Sequence, residues 1–318
     1  MRLEVFESTQ EGQMLLRMGK KVLASEIAEK YLVELKKDVS TMAKKPVLAG
    51  VLANGDPAAA TYAKWTSNAC LKVGIEFKLI STNKDALEDL IVELNEENSV
   101  NGIMIYYPVF NSSQDNYLQS IISPFKDVEG LCQTFRFNMY NNIRFLDELR
   151  VKKCLLPCTP LAIIKVLEFL QIYNSVLPEG DRLHGKTITV INRSEIVGRP
   201  LAALLANDGA RVFSVDVHNI QEFSRGAGLR NKIHLTAPSS VNLENCLNQS
   251  DVVISGVPTK SYKITTKELK DGATAINFST FQNFEEDILE KANLFVPSVG
   301  KVTVAMLQRN LIRLASYQ

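Results

Sequence analysis

Between Thr187 and Pro200 the sequence TITVINRSEIVGRP runs from an apolar stretch into a polar, basic elbow and then restarts as a helix. Thr187, Ile188, Val190 and Ile191 are β-branched, the side-chain type that fills a parallel strand buried on both faces. Pro200 suits the first turn of a helix, where a missing amide costs no hydrogen bond. Strand, turn and helix in this order confine the segment to an α/β arrangement. The free amides and dipole of the helix start favour an anion such as a dinucleotide pyrophosphate, with Arg193 and Ser194 as candidate side-chain donors. The glycine fingerprint of a dinucleotide fold is incomplete. Gly198 is present, while Asn192 stands where the first glycine usually sits, a residue that tolerates left-handed geometry better than most. Elbows of this shape also serve as plain strand–helix connections, so both readings stand on this stretch alone.

The next strand favours the nucleotide. After a helical run, Leu201 to Leu205, and a turn, Asn207 to Gly209, a second strand from Val212 to Val215 ends at Asp216 and Val217. An acid at that place accepts hydrogen bonds from the adenosine ribose hydroxyls and repels a 2′-phosphate, so Asp216 points to NAD rather than NADP. The plain alternative is an aspartate that opens a turn.

The chain has 318 residues, enough for about two domains. Hydrophobic residues make up 46%, charged residues 22%, and the net charge is +1, the balance of an ordinary soluble enzyme without a basic field for nucleic acid. Cys70, Cys132, Cys154, Cys158 and Cys246 show no paired metal-ligand spacing. Their odd number fits reduced thiols in the cytosol better than a disulfide framework. Glu4 and Glu7 near the start, with no long apolar run, give the expectation of no signal peptide, transit peptide or membrane span.

Taken in order, helical spacing predicts a helix over 22–37, a strand over 47–52, and the polar loop Asn54-Gly55-Asp56-Pro57 before a helix over 58–73. A strand over 76–80, a helix around 87–94 and a strand over 103–106 complete one α/β unit. The stretch from Lys126 to Arg150, rich in Asn and aromatic residues, reads as an irregular surface connection. Pro157-Cys158-Thr159-Pro160 then opens a helix with Thr159 as N-cap, and a domain boundary fits just before it. Strands come next over 251–255 and 274–277, with the turn Gly256-Val257-Pro258 between them. The last run, 304–315, is helical and suits packing back on the first domain.

Together these pieces resemble the methylenetetrahydrofolate dehydrogenase/cyclohydrolase family. The resemblance covers nearly the whole chain, from the Asn54 to Pro57 loop and Tyr62, through Asp127-Val128-Glu129-Gly130, Pro157 to Pro160 and Arg193 to Pro200, to Gly300 to Met306. It implies a folate-binding α/β domain, 1–155 with 304–318, and a Rossmann-type parallel-sheet NAD-binding domain, 156–303. A folate cleft lies between them, and a homodimer forms through the second. By the same resemblance Tyr62 stacks on the aminobenzoyl ring of folate and Glu129 binds the pterin's amide and amino edge. Arg193, Ser194, Gly198, Asp216, Val217, Gly256, Val257 and Pro258 line the cofactor. Thr66 stands in the position of the family's catalytic lysine, Tyr106 in that of a glutamine, and Cys158 in the segment beside the cleft. Cys158 is read either as shaping the nicotinamide and folate contact or as a buried structural cysteine; a thiol at a helix start can have a lowered pKa. Pro297 to Gly300 is one residue shorter than the family's loop, with Lys301-Val302 in place of Pro-Met. His184, His218 and His234 match no catalytic position.

Moving a hydride from the one-carbon bridge leaves a methenyl cation shared by two nitrogens and needs no general base. Hydrolysing the methenyl group does need proton movement, and threonine lacks the lysine's amine. The expectation is therefore a cytoplasmic NAD-dependent dehydrogenase without cyclohydrolase activity. A bifunctional enzyme and a non-catalytic folate- or NAD-binding relative stay open beside it.

Overall fold

Two parallel sheets meet across one apolar core in the computed structural model, which describes residues 19–226 and 233–318. The first sheet has three strands, β2 (Val47–Leu52) in the middle with β3 (Glu76–Ser81) and β4 (Gly102–Ile105) on either side. Successive side chains of a strand face opposite ways, so Leu48 enters the shared core while Val47, Ala49 and Val51 pack on Leu87, Ile91 and Leu118. Those partners belong to helices α3 (Leu87–Glu96) and α4 (Ser113–Ile121). Helix α2 (Pro57–Val73) covers the other side. Asp56 accepts a hydrogen bond from the Ala58 amide at 2.9 Å to start it, and Gly74, at φ 87, ends it.

The second sheet has eight strands in the order β1 (Lys20–Lys21), β11 (Leu294–Val296), β10 (Thr274–Asn277), β9 (Val252–Ser255), β5 (Thr187–Ile191), β6 (Arg211–Val215), β7 (Ile220–Arg225), β8 (His234–Pro238). Its pairings are parallel except those of β7, which runs antiparallel to both neighbours. Ile188 and Val190 of β5 face the shared core, and Ile191 faces a separate cluster with Leu247, Val253 and Phe284. Strand order reverses between β5 and β9, the place where open α/β sheets leave a crevice beyond their strand ends.

The C-terminal helix α9 (Gly300–Ala315) packs against both α1 (Ala24–Thr41) and α6 (Cys158–Phe169), burying Leu307, Leu311 and Leu314. The chain end is tied to the first sheet's side, where the Gln318 amide donates to the carbonyls of Asn101 at 3.1 Å and Phe125 at 2.8 Å.

Three readings need correction. The 126–150 stretch is not a surface connection: it carries α5 (Gln133–Tyr140), and Lys126, Asp127, Val128, Phe135 and Met139 are buried. A helix this short gives periodicity too little length to show, and its exposed Phe137 blurs the pattern further. Thr159 is not the N-cap of α6. The N-cap is Pro157, two residues earlier, so the helix begins at Cys158, and no side chain caps it. Lys20 and Lys21, placed by sequence in the first domain, instead pair with Leu294 and Phe295 at the edge of the second sheet. The β7–β8 hairpin also escapes the sequence pattern, because neither strand carries an apolar face that alternates cleanly.

Phe135→Ala tests the corrected stretch. Its side chain is fully buried, so urea unfolding should show a loss of about 3–5 kcal/mol. A surface connection would lose no more than about 0.5 kcal/mol.

Candidate active site

A cavity of about 100 Å³ opens where the two sheets' units meet, lined by Tyr62, Glu129, Cys158, Ile196 and Leu307 among others. Four separate segments supply the first four of these residues. Tyr62 comes from α2, Glu129 from the loop between α4 and α5, Cys158 from the first turn of α6, and Ile196 from the elbow beyond β5. Tyr62, Glu129 and Cys158, assigned to one cleft by sequence, are therefore brought together. Asp216 and Gly256 lie outside this cavity, at the strand ends of the second sheet.

The Glu129 loop is held from within by Asp127. Its carboxylate accepts hydrogen bonds from the amides of Glu129 at 3.1 Å, Gly130 at 2.9 Å and Cys132 at 2.7 Å. Gly130 lies at φ 68, and a Cβ there would come within 2.9 Å of the Leu156 carbonyl oxygen, so only glycine lets the loop close on the start of α6. Asn310 of α9 ties the same loop down by donating to the carbonyls of Val128 at 2.9 Å and Leu156 at 3.2 Å. Burial first, and the Asp127 charge second, push the Glu129 carboxyl up to about 8, against a backbone amide at Ile105 that pulls it down.

Cys158 is correspondingly inert. Its thiol donates to the Val128 carbonyl at 3.3 Å, and burial, then Glu129 and Asp127, raise its pKa well above the ordinary thiol value. The lowered pKa that a helix-start thiol can have is absent here, because the thiol is buried and its nearest charges are acidic.

Thr66 is completely buried, and its Oγ1 donates to the Tyr62 carbonyl at 3.0 Å. Tyr106 stands edge-on to Tyr62 with ring centroids 6.0 Å apart. Its hydroxyl lies beside Thr66 but lacks hydrogen-bond geometry, so it has no partner among the described residues. Burial pushes the Tyr106 hydroxyl up to about 12 and raises Tyr62 further still.

The elbow has the tight shape a dinucleotide needs. Asn192 lies at φ 87, and its Nδ2 donates to the Gly256 carbonyl at 2.6 Å, joining the ends of β5 and β9 across the crevice. A Cβ on Gly198 would sit 1.7 Å from the Asn192 carbonyl oxygen, so the helix can start this close to the strand only with glycine. Ser194 caps the helix α7 (Gly198–Asn207), its Oγ accepting from the amides of Val197 at 3.3 Å and Gly198 at 3.4 Å. Those two amides are therefore already engaged, and the serine's own O–H is left to donate. Arg193 does not face the elbow as expected. It turns onto the β6–β7 turn, bonding Ser214 and Asn219. Asp216 ends β6 half-buried and accepts from the Val217 amide at 2.7 Å, while the Val217 side chain is exposed. At the Gly256-Val257-Pro258 turn, a Cβ on Gly256 would strike the Phe278 ring at 1.9 Å, so this glycine makes room for an aromatic side chain of the protein itself. Asn283 pins the turn from both sides, accepting from the Val257 amide at 2.8 Å and donating to its carbonyl at 3.0 Å.

Two family models match the chain. The tetrahydrofolate dehydrogenase/cyclohydrolase catalytic domain spans residues 22–129, and the NAD(P)-binding domain of the same family spans residues 157–318. The chain belongs to the tetrahydrofolate dehydrogenase/cyclohydrolase family. The first match contains Tyr62, Thr66, Tyr106 and Glu129, and the second contains Cys158, the elbow and Asp216. Among relatives, the chain is similar to methylenetetrahydrofolate dehydrogenase [NAD(+)] of Schizosaccharomyces pombe, 56% identical over 94% of each chain. It is also similar to the bifunctional protein FolD of Nitrosopumilus maritimus, 32% identical over 94% of this chain and 97% of that one. The solved structure of the NAD-dependent 5,10-methylenetetrahydrofolate dehydrogenase from Saccharomyces cerevisiae superposes with a TM-score of 0.89 at 50% identity, covering 94% of this chain and 98% of that one.

Asp127, Asn310 and Asn283 escape the sequence reading. Asp127 is visible there only as the first residue of the Asp127 to Gly130 segment, and the other two act across 150 residues or from a neighbouring turn, where no local pattern shows. A larger cavity of about 250 Å³, lined by Tyr140, Glu195, Arg199, Phe223, His234 and Thr236, lies beside the hairpin and holds none of the candidates.

The raised Glu129 pKa makes stability depend on pH. Above the ordinary glutamate range the unfolded chain ionises while the folded chain stays protonated, so stability falls as pH rises, until the folded group ionises near 8. Glu129→Gln should therefore match wild type at about pH 4 and exceed it by on the order of 1–2 kcal/mol at about pH 9 in thermal or urea unfolding. Equal stability at both ends would place the carboxyl in water.

Proposed function

We propose that the protein oxidises 5,10-methylenetetrahydrofolate to 5,10-methenyltetrahydrofolate in one-carbon metabolism, with NAD as hydride acceptor, and does not hydrolyse the product. The observation that carries this reading is Thr66: where the family resemblance places a lysine, a fully buried hydroxyl spends its proton on the Tyr62 carbonyl. Membership of the family and likeness to NAD-dependent relatives support the dehydrogenase half.

The chain's part in the reaction is binding, orientation and exclusion of water. Tyr62 offers a ring face to the aminobenzoyl group, and Glu129 offers two acceptor oxygens to the pterin's amide and amino hydrogens. Met104, Leu131, Ile196 and Leu307 form apolar walls that keep solvent from the reacting carbon. NAD supplies the hydride acceptor when bound. For hydrolysis the site lacks the amine that the family's lysine would supply: Thr66 stands in its place, burial keeps Tyr62, Tyr106 and Cys158 protonated, and Glu129 is assigned to the pterin edge. Asp216, at the end of β6, is the acid placed for the adenosine ribose hydroxyls of NAD.

In this reading the three-stranded unit with α9 is the folate domain, the eight-stranded unit is the NAD domain, and the protein is a cytoplasmic homodimer. Five buried, free cysteines fit a reducing compartment. The open edge of β8, with Leu235 exposed, suits pairing with a second copy through the NAD domain.

Initial rates of NADH formation from methylenetetrahydrofolate test the dehydrogenase directly. Wild type should use NAD well and NADP poorly, and no turnover with either would leave a folate-binding relative. Glu129→Ala should weaken folate capture by about 2 kcal/mol, with NAD binding nearly unchanged. Wild-type folate affinity should rise as pH climbs toward 8, because the pterin edge binds the ionised carboxylate. Thr66→Lys should slow NADH formation, since its ammonium would be buried near a cationic product.

A further inference from the structure

We propose that Asn219 is a positioning residue for dinucleotide choice, because its side chain takes the Arg193 donor that a 2′-phosphate would need. This deepens the NAD-dependent reading above and rests on it. A guanidinium has five N–H groups, and Arg193 spends four of them on the β6–β7 turn, leaving one on Nη1. Nε donates to Ser214 Oγ at 2.9 Å, Nη1 to Asn219 Oδ1 at 2.7 Å, and Nη2 to the carbonyls of Ser214 and of Asn219.

The fork therefore lies flat on the chain's own turn. Ser214 is fully buried and two of the acceptors are main-chain carbonyls, so Asn219 Oδ1, on an exposed residue, is the partner most open to replacement. In dinucleotide folds an arginine at this end of the second strand accommodates the 2′-phosphate of NADP. Here the amide oxygen of Asn219 stands on Nη1 as a phosphate oxygen would. The same residue fixes the acid: its carbonyl accepts the Asp216 amide at 3.0 Å, and the Asp216 charge acts on the guanidinium. Asn219 thus holds in place an acid that repels a 2′-phosphate and blocks the cation that would attract one.

Removing the acid alone should then fail to convert the site. Asp216→Ser loses a ribose acceptor and a repulsive charge but leaves Asn219 Oδ1 on Nη1, with one N–H of that nitrogen engaged and the fork held to the turn, so affinity for adenosine 2′,5′-bisphosphate should change by no more than about threefold. Adding Asn219→Ala frees that donor and should tighten this probe by about tenfold or more, with affinity for 5′-AMP within about threefold. Adding Arg193→Ala to the pair should cancel the gain. The readout is equilibrium calorimetry with the two nucleotides, beside rates with NAD and NADP. No gain in the double variant, a gain that survives loss of Arg193, or an equal gain for both nucleotides overturns the proposal. Wild type that makes NADH while these affinities stay flat defeats this inference only; wild type without NADH formation defeats the reading beneath it.

Discussion

One buried carboxylate fixes the geometry on which the rest of the site depends. Asp127 is almost wholly out of water, an expensive place for a charge, and the cost is offset because three amides of its own loop point at it. Burial raises its pKa and those amides oppose the rise. A loop built this way has one conformation. It holds Val128 where Asn310 and Cys158 both donate to its carbonyl, it lets Gly130 pass against Leu156, and it leaves Glu129 facing the cleft. The two sheets' units and the C-terminal helix are joined at this point, so the position of Glu129, the proposed pterin anchor, and the relation between the units are set by the same bonds.

The electrostatic character of the cleft has the same origin. Asp127 lies behind Glu129, and burial together with its charge raises the proton affinity of Glu129 and Cys158. Cys158, Tyr62 and Tyr106 stay neutral, and Thr66 is turned inward to a carbonyl. With no amine among these four side chains, the pocket is poorly suited to activating water once Glu129 is engaged by the pterin. It is well suited to holding a substrate whose reacting carbon gains positive charge, because no lysine or arginine among the described residues lines the cavity to oppose that charge. Hydride transfer asks for alignment more than for proton movement, and alignment is what a rigid loop, an edge-on pair of tyrosines and a tight elbow provide.

Much of this was legible in the sequence. The β-branched run at Thr187 to Ile191, the acid after Val215 and the Asn-Gly-Asp-Pro loop each carry a local signature, and the structure places a strand, a strand end and a helix start there. Asn192 takes the left-handed geometry its residue type allows. Other features were not legible because their causes are not local. The direction of Arg193 depends on Asn219, the state of Cys158 depends on carboxylates from another segment, and the need for Gly256 comes from Phe278 on a neighbouring strand end. The 126–150 stretch misleads for a related reason: polar Asn residues and exposed Phe137 surround the buried Phe135, whose partners lie in the shared core.

In the proposed function this cleft carries out hydride transfer and stops there. This is tested most directly by following methenyltetrahydrofolate and NADH together through one reaction, against an enzyme-free sample that gives the rate at which buffer alone opens the methenyl group. The account predicts that each NADH is matched by one methenyl product, which then decays at the buffer rate whatever the enzyme concentration. Decay that quickens in proportion to added enzyme, with formyl product gained in step, would contradict it.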